Sequence, residues 1–130
     1  MKKMLKLALV AAAAATAFGA SAQEYPAKDK TITIVVPYAA GGPTDRVARD
    51  LAESLRKPLG GVSVVVDNSA GAGSTIGSAK VARAAPDGYT VFSADNGTLV
   101  FNPVLFRKLP YDPDRDFRPI GLLARFPLVL

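Results

Sequence analysis

The spacing of apolar and polar positions changes several times along this chain, and each change marks an element. Thr31–Val36 is a near-continuous run of β-branched residues bounded by Pro37. It predicts a strand buried on both faces, the kind found in parallel sheets. From Val47 the period lengthens: Val47, Ala48, Leu51, Ala52 and Leu55 recur on one helical face, and Arg49, Asp50, Glu53 and Arg56 mostly lie off it. Gly42 as N-cap puts Pro43 at the first helical position and Asp45 at the third, where a proline loses nothing and an acid is favoured. Thr44 is the alternative N-cap. Pro58 with Gly60-Gly61 ends the helix. Val62–Val66 predicts a second strand, followed by a glycine-rich turn at Ala70–Gly73 and a helix opening at Ser74 or Thr75 and running to about Ala84. Its small residues, Gly77, Ser78, Ala79 and Ala82, let it lie close on a sheet. Pro86-Asp87-Gly88 is a turn signal, Tyr89–Ala94 a third strand, and Asp95–Thr98 the loop after it.

The resulting β-α-β-α-β order with short connections predicts an α/β domain built on a parallel sheet. Such sheets bind ligands beyond the carboxyl ends of their strands. The loops Pro37–Asp45, Asn68–Ser74 and Asp95–Thr98 all fall at such ends. Beyond them the pattern weakens. Leu99–Phe106 admits a short helix, Lys108–Pro113 reads as an extended loop, and Phe117–Leu123 and Phe126–Leu130 are strand-like. Stopping inside the apolar run Pro-Leu-Val-Leu reads as a fragment or a truncated reading frame.

The first 22 residues carry a different signal. Lys2, Lys3 and Lys6 precede an alanine-rich apolar stretch from Leu5 to Phe18, and Ala20-Ser21-Ala22 is a small-residue cleavage site. The stretch is shorter than a membrane span. It predicts a signal peptide of residues 1–22, cleaved after Ala22, with export to the periplasm; an uncleaved anchor is the alternative. Without a twin arginine, Sec-type export is the simpler route. Removing 22 of 130 residues leaves 108, enough for one domain with a core. Three of the sixteen basic residues leave with the leader. Thirteen then face eleven acidic ones, so the net charge is +2 rather than +5. The bases are dispersed and not interleaved with aromatics, so nucleic acid is a poor partner. The chain has no cysteine and no histidine. That removes the usual zinc sites and the Ser-His-Asp and Cys-His arrangements.

The remaining chemistry lies in the loops. A small-residue loop running into a helix start offers unpaired N–H groups and a partial positive charge, which together hold an anion without a lysine. The first loop therefore reads as a carboxylate site formed by N–H groups around Ala39–Thr44 with help from the Thr44 hydroxyl, or as a tight turn that merely needs glycine. Asp45 speaks against a highly charged phosphate and suits a loop-shaping role. Tyr38 is a cleft wall or core. In the second loop, Gly71-x-Gly73 would need a glycine at 76 to complete a dinucleotide fingerprint, and Ile76 stands there. No P-loop sequence is present. Asp112, Asp114 and Asp116 read as a solvated turn rather than a metal cluster, and no metal, cofactor or catalytic residue is expected. The function expected is not enzymatic.

The sequence Ala40-Gly41-Gly42-Pro43-Thr44-Asp45 resembles the Ala-Gly-Gly-x-x-Asp motif of the periplasmic solute-binding proteins of tripartite tricarboxylate transporters, the Bug-type receptors. The resemblance continues through Asn68 with Gly71-Ala72-Gly73, Ala85-Pro86-Asp87-Gly88-Tyr89-Thr90, Asn102-Pro103, and Lys108-Leu109-Pro110-Tyr111-Asp112-Pro113 with Asp116-Phe117. It implies a type II periplasmic-binding-protein-like fold about twice this size. Residues 23–125 would be part of the N-terminal lobe, and 126–130 would begin the crossover to a second lobe. The implied ligand is a small organic acid: a di- or tricarboxylate, an acidic amino acid or an aromatic acid. The implied partner is a membrane permease, with a membrane sensor kinase as the alternative. The implied ligand-binding residues are Tyr38, Ala39, Gly41, Gly42, Thr44, Asp45, Gly71, Ala72, Gly73 and Ser74, with Asn96, Gly97 and Thr98 as a weaker extension.

Overall fold

A computed structural model of the chain describes residues 24–126. Strand β1 (Thr31–Val36) leads through a short loop into helix α1 (Pro43–Arg56). Strand β2 (Ser63–Asn68) follows, then a tight turn at Ala72–Ser74 that passes directly into helix α2 (Thr75–Ala82). Strand β3 (Thr90–Phe92) completes the sheet. A wide π-helical turn (Gly97–Phe101) then runs into the short helix α3 (Asn102–Leu105), and α4 (Pro113–Asp116) is a single turn. The expected βαβαβ order is therefore present. No helix among the described residues is long and apolar enough to cross a membrane. The leader and its cleavage site lie outside the described residues.

The sheet is parallel, with β1 in the centre and the order β2-β1-β3. The chain moves outward from β1 to β2, then back past β1 to β3. With crossovers of one hand, this reversal places α1 and α2 on opposite faces. The alternating residues Ile32, Ile34 and Val36 join Ala48 and Ala52 of α1 and Val62 and Val64 in one buried cluster that contains no residue of α2. The stripe read from the sequence is thus the face that α1 buries. Val35, on the other side of β1, is fully buried. There α2 comes close, as its small residues require: a Cβ on Gly77 would lie 2.7 Å from the Ser69 carbonyl oxygen and 3.0 Å from the Pro37 Cα.

β2 ends later than the sequence indicates, so that Asn68 stands opposite Val36. β3 is shorter than expected, although backbone bonds from Thr33 N–H to Tyr89 O (2.8 Å) and from Ser93 N–H to Val35 O (2.9 Å) extend its pairing at both ends. The strand-like pattern at Phe117–Leu123 does not form a strand. Phe117 instead packs its ring against Phe92 and Tyr111, with centroids 5.1 and 5.6 Å apart. Ile120 and Leu122 are exposed. A strand needs a neighbour to take its backbone bonds, and no described strand lies beside this segment. Phe126 is not in a strand either, and 127–130 lie outside the described residues.

Candidate functional site

Reversal of chain direction between β1 and β3 opens a crevice at their carboxyl ends, the usual ligand position in sheets of this kind. A cavity of about 330 Å³ lies there, lined by Tyr38, Ala39, Ala40, Gly42, Pro43, Thr44 and Asp95. One wall is the loop after β1 with the start of α1; the other is the loop after β3.

The α1 end is an uncapped helix N-terminus. Gly42 is the N-cap, in extended conformation and with no side chain to bond the first turn, and Pro43 has no N–H to offer. The N–H groups of Thr44 and Asp45 have no intrahelical acceptor, because the first turn of any helix lacks one. The helix dipole adds partial positive charge at the same place.

Asp45 keeps this end in shape. It is buried, and its Oδ2 accepts from Gly41 N–H (2.8 Å) and Arg49 Nε (3.0 Å). Its Oδ1 accepts from Asn68 Nδ2 (2.9 Å). Asn68 Nδ2 also donates to Tyr38 O (3.0 Å), and Arg49 donates to Asn68 Oδ1 (3.0 Å). The register that sets Asn68 beside the end of β1 is what lets it staple the loop. Bonds from Arg49, the Gly41 N–H and Asn68, in that order of effect, lower the Asp45 pKa from its ordinary 3.8 to about 2. The Gly41 N–H is therefore spent on Asp45, and Gly41 lines a neighbouring groove with Arg46, Asp50 and Phe126.

The β3 wall is held by a second polar network. Asp95 Oδ1 accepts from Tyr38 Oη (2.8 Å), Thr98 N–H (3.0 Å) and Thr98 Oγ1 (3.1 Å). Since a carboxylate only accepts, the single Thr98 hydroxyl proton goes to Asp95. Ser74 Oγ, 3.2 Å away, then donates to Thr98 Oγ1. Asn102 Nδ2 reaches Gly73 O (2.8 Å), Ser74 Oγ (3.1 Å) and Tyr111 Oη (3.2 Å), and Tyr111 donates to Thr98 O (2.7 Å). Burial, and then the bond to Asp95, raises the Tyr38 pKa, so the phenol stays a donor.

The second loop serves this network rather than the cavity. Four consecutive residues have positive φ: Gly71 (129°), Ala72 (45°), Gly73 (62°) and Ser74 (71°). Two are glycines, for which this is cheap; Ala72 and Ser74 are strained. Thr75 Oγ1 bonding to Ala72 O (2.9 Å), together with Asn102, holds the turn.

The structure thus brings Tyr38, Ala39, Gly42 and Thr44 together in the cavity and places Gly41 and Asp45 behind it. Gly71, Ala72 and Gly73 are exposed outside its lining, Ser74 and Thr98 are buried in the network, Asn96 is exposed, and Gly97 lies beside the Asp95 carboxylate. Sequence reasoning assigned no role to Asp95, Asn68, Arg49, Asn102 or Tyr111. Arg49 had a readable signal in its four-residue spacing from Asp45. Asn102 and Tyr111 had only their place in the motifs that carry the family resemblance, which names no partner, because their partners lie on another loop.

The fold and crevice define an α/β unit of the periplasmic-binding kind. The family model of the tripartite tricarboxylate transporter family receptor matches residues 47–130, and the chain belongs to that family. It is 41% identical to the protein BugT of Bordetella pertussis over 120 residues, 92% of this chain and 36% of that one. It is similar to the structure of MatC from Rhodopseudomonas palustris with bound malate (TM-score 0.69, 46% identity, 73% of this chain and 32% of that one). It is also similar to R. palustris Rpa4515 with adipate (TM-score 0.65, 35% identity, 70% and 29%). The chain spans about a third of the curated relatives it matches, from 30% to 38%. Those relatives are thus nearer three times its length than the twofold expected.

Proposed function

We propose that the chain forms one wall of a periplasmic receptor that captures a small organic carboxylate for a tripartite tricarboxylate-type transporter. The observation that carries this is the uncapped start of α1 opening into the switch-point cavity. There the N–H groups of Thr44 and Asp45 and the Thr44 hydroxyl receive a carboxylate, with Tyr38, Ala39 and Gly42 as walls. Gly41 and Asp45 shape the loop. The Gly71–Ser74 turn and Asn96–Thr98 act at a distance, by fixing the opposite wall. The malate and adipate in the structures of two family neighbours support an organic acid as ligand. The role is binding and delivery to a membrane permease, with no bond made or broken, and export through the leader of residues 1–22 puts it in the periplasm.

A thermal melt of the purified protein with malate, adipate, citrate and, as a control, glucose tests this. A ligand that binds only the native state raises the midpoint. The expected result is a rise with at least one acid and none with glucose. No shift with any acid at millimolar concentration would overturn the reading.

A further inference from the structure

Asp95 sits oddly in a cavity that receives an anion. It is the only carboxylate among the residues lining that cavity. Its Oδ1 is saturated by Tyr38 Oη, Thr98 N–H and Thr98 Oγ1. Its Oδ2 has no hydrogen-bond partner among the described residues. No buried side-chain oxygen or nitrogen among these residues lacks a partner. Oδ2 therefore lies at accessible surface, and Asp95 is one of the residues lining the cavity. Three donors on one oxygen fix the carboxylate plane, so the accessible second oxygen is held in place, as an acceptor only.

We infer that Asp95 is a specificity-determining residue that selects carboxylates carrying a hydrogen-bond donor, a hydroxyl or an ammonium group, next to the anchored acid. The inference rests on the proposed carboxylate site. The ligand's carboxylate docks on the start of α1, and its donor group faces Asp95 Oδ2. A ligand with a donor gains a charge-assisted hydrogen bond there. A ligand of the same length without one leaves a desolvated carboxylate oxygen unpaired, and sites built to pair a polar group reject analogues that lack it. A second acid group brought close to Asp95 is repelled, so the cavity also disfavours acids that crowd carboxylates near the anchored one.

The test is calorimetric titration of the protein with L-malate, L-aspartate and succinate, which share a four-carbon diacid frame. The expected result is that malate or aspartate binds on the order of tenfold tighter than succinate. Whichever of the two is tighter identifies the donor as hydroxyl or ammonium. Asp95→Asn keeps an acceptor oxygen for Tyr38 and Thr98 but turns a donor amide toward the cavity. In that variant the preference should shrink to about twofold or reverse, with succinate binding at least as well as before. Equal binding of all three acids to the unaltered protein would overturn the inference and leave the carboxylate site standing. A preference that persists unchanged in a folded Asp95→Asn protein would also overturn it. No binding of any acid would defeat the site itself, and the inference with it. Because the wild-type ratio is read first, the inference stays testable even if the variant fails to fold.

Discussion

The two glycine-rich loops, Pro37–Gly42 and Ser69–Ser74, each hold two glycines and two alanines and follow adjacent strands, yet the structure uses them in opposite ways. The first leaves backbone open. Its helix start is uncapped, its residues line the cavity, and the polar group that secures it, Asp45, bonds from behind. The second closes on itself. Four left-handed residues turn it so that Gly73 O and the Ser74 hydroxyl face inward to Asn102 and Thr98. Glycine thus serves access in one loop and curvature in the other. A loop becomes a site only where its hydrogen-bonding groups are left without internal partners. The first loop should therefore respond to mutation mainly in binding and the second mainly in stability.

The sharpest way to break that contrast is Asn102→Ala. Asn102 is buried and supplies the donors that reach Gly73 O, Ser74 Oγ and Tyr111 Oη. Removing it leaves buried acceptors unpaired and releases the strained turn, at a cost of about 3 kcal/mol. Urea denaturation should show this loss of stability. A change below about 0.5 kcal/mol would mean the turn holds its shape unaided.

A smaller effect is expected at Asp45, and it depends on pH. The folded-state pKa of about 2 lies below the ordinary 3.8. Between those values the unfolded chain binds more protons than the folded one, so stability rises with pH across that interval. The contribution of Asp45 is complete above about pH 4 and is lost as pH falls toward 2. Asp116, whose pKa is also lowered, by Arg115 and by the Asp112 N–H, adds to the same slope. Asp45→Asn should therefore flatten the fall in the urea midpoint between pH 4 and pH 2 without abolishing it. An unchanged slope would show that Asp45 does not anchor the loop.

How much of this was readable in advance follows from the range of each interaction. Thr31–Val36 and the start of α1 at Pro43 were legible to the residue, because both depend on local pattern and on the chemistry of one helix end. The loops at the strand ends followed from the parallel βαβαβ order alone. What was not legible depends on partners far along the chain. Asn68 reaches Tyr38 across thirty residues through strand register, and Asn102 reaches Gly73 across twenty-nine. The apolar pattern at Phe117–Leu123 misled for a related reason. Period alone cannot say whether a neighbouring strand exists, and Phe117 spends its apolar surface on Phe92 and Tyr111 instead. Asp95 was hidden by its neighbours: in a loop of small polar residues, nothing local tells that one oxygen is triply bonded and the other bare.

The smallest expected effect on stability is the most telling for function. Gly42 has φ −75° and ψ 172°, a conformation open to any residue, and a Cβ there would meet only Ala39 O at 3.7 Å. Gly42→Val should therefore lose only about 1 kcal/mol of stability, from valine being a poorer N-cap than glycine. The same branched side chain would stand at the cavity wall, beside the open N–H groups proposed to receive the ligand, and should weaken carboxylate binding by about tenfold or more, read by titration with the tightest acid. Gly73→Val gives the converse. Its φ of 62° strains any branched residue, and its Cβ would press on the Phe106 ring at 3.1 Å, and neither residue lines the cavity. It should lose stability and keep the affinity of whatever fraction stays folded. If Gly42→Val leaves binding intact, the open loop is only a turn. If Gly73→Val abolishes binding in folded protein, the two loops share the ligand after all.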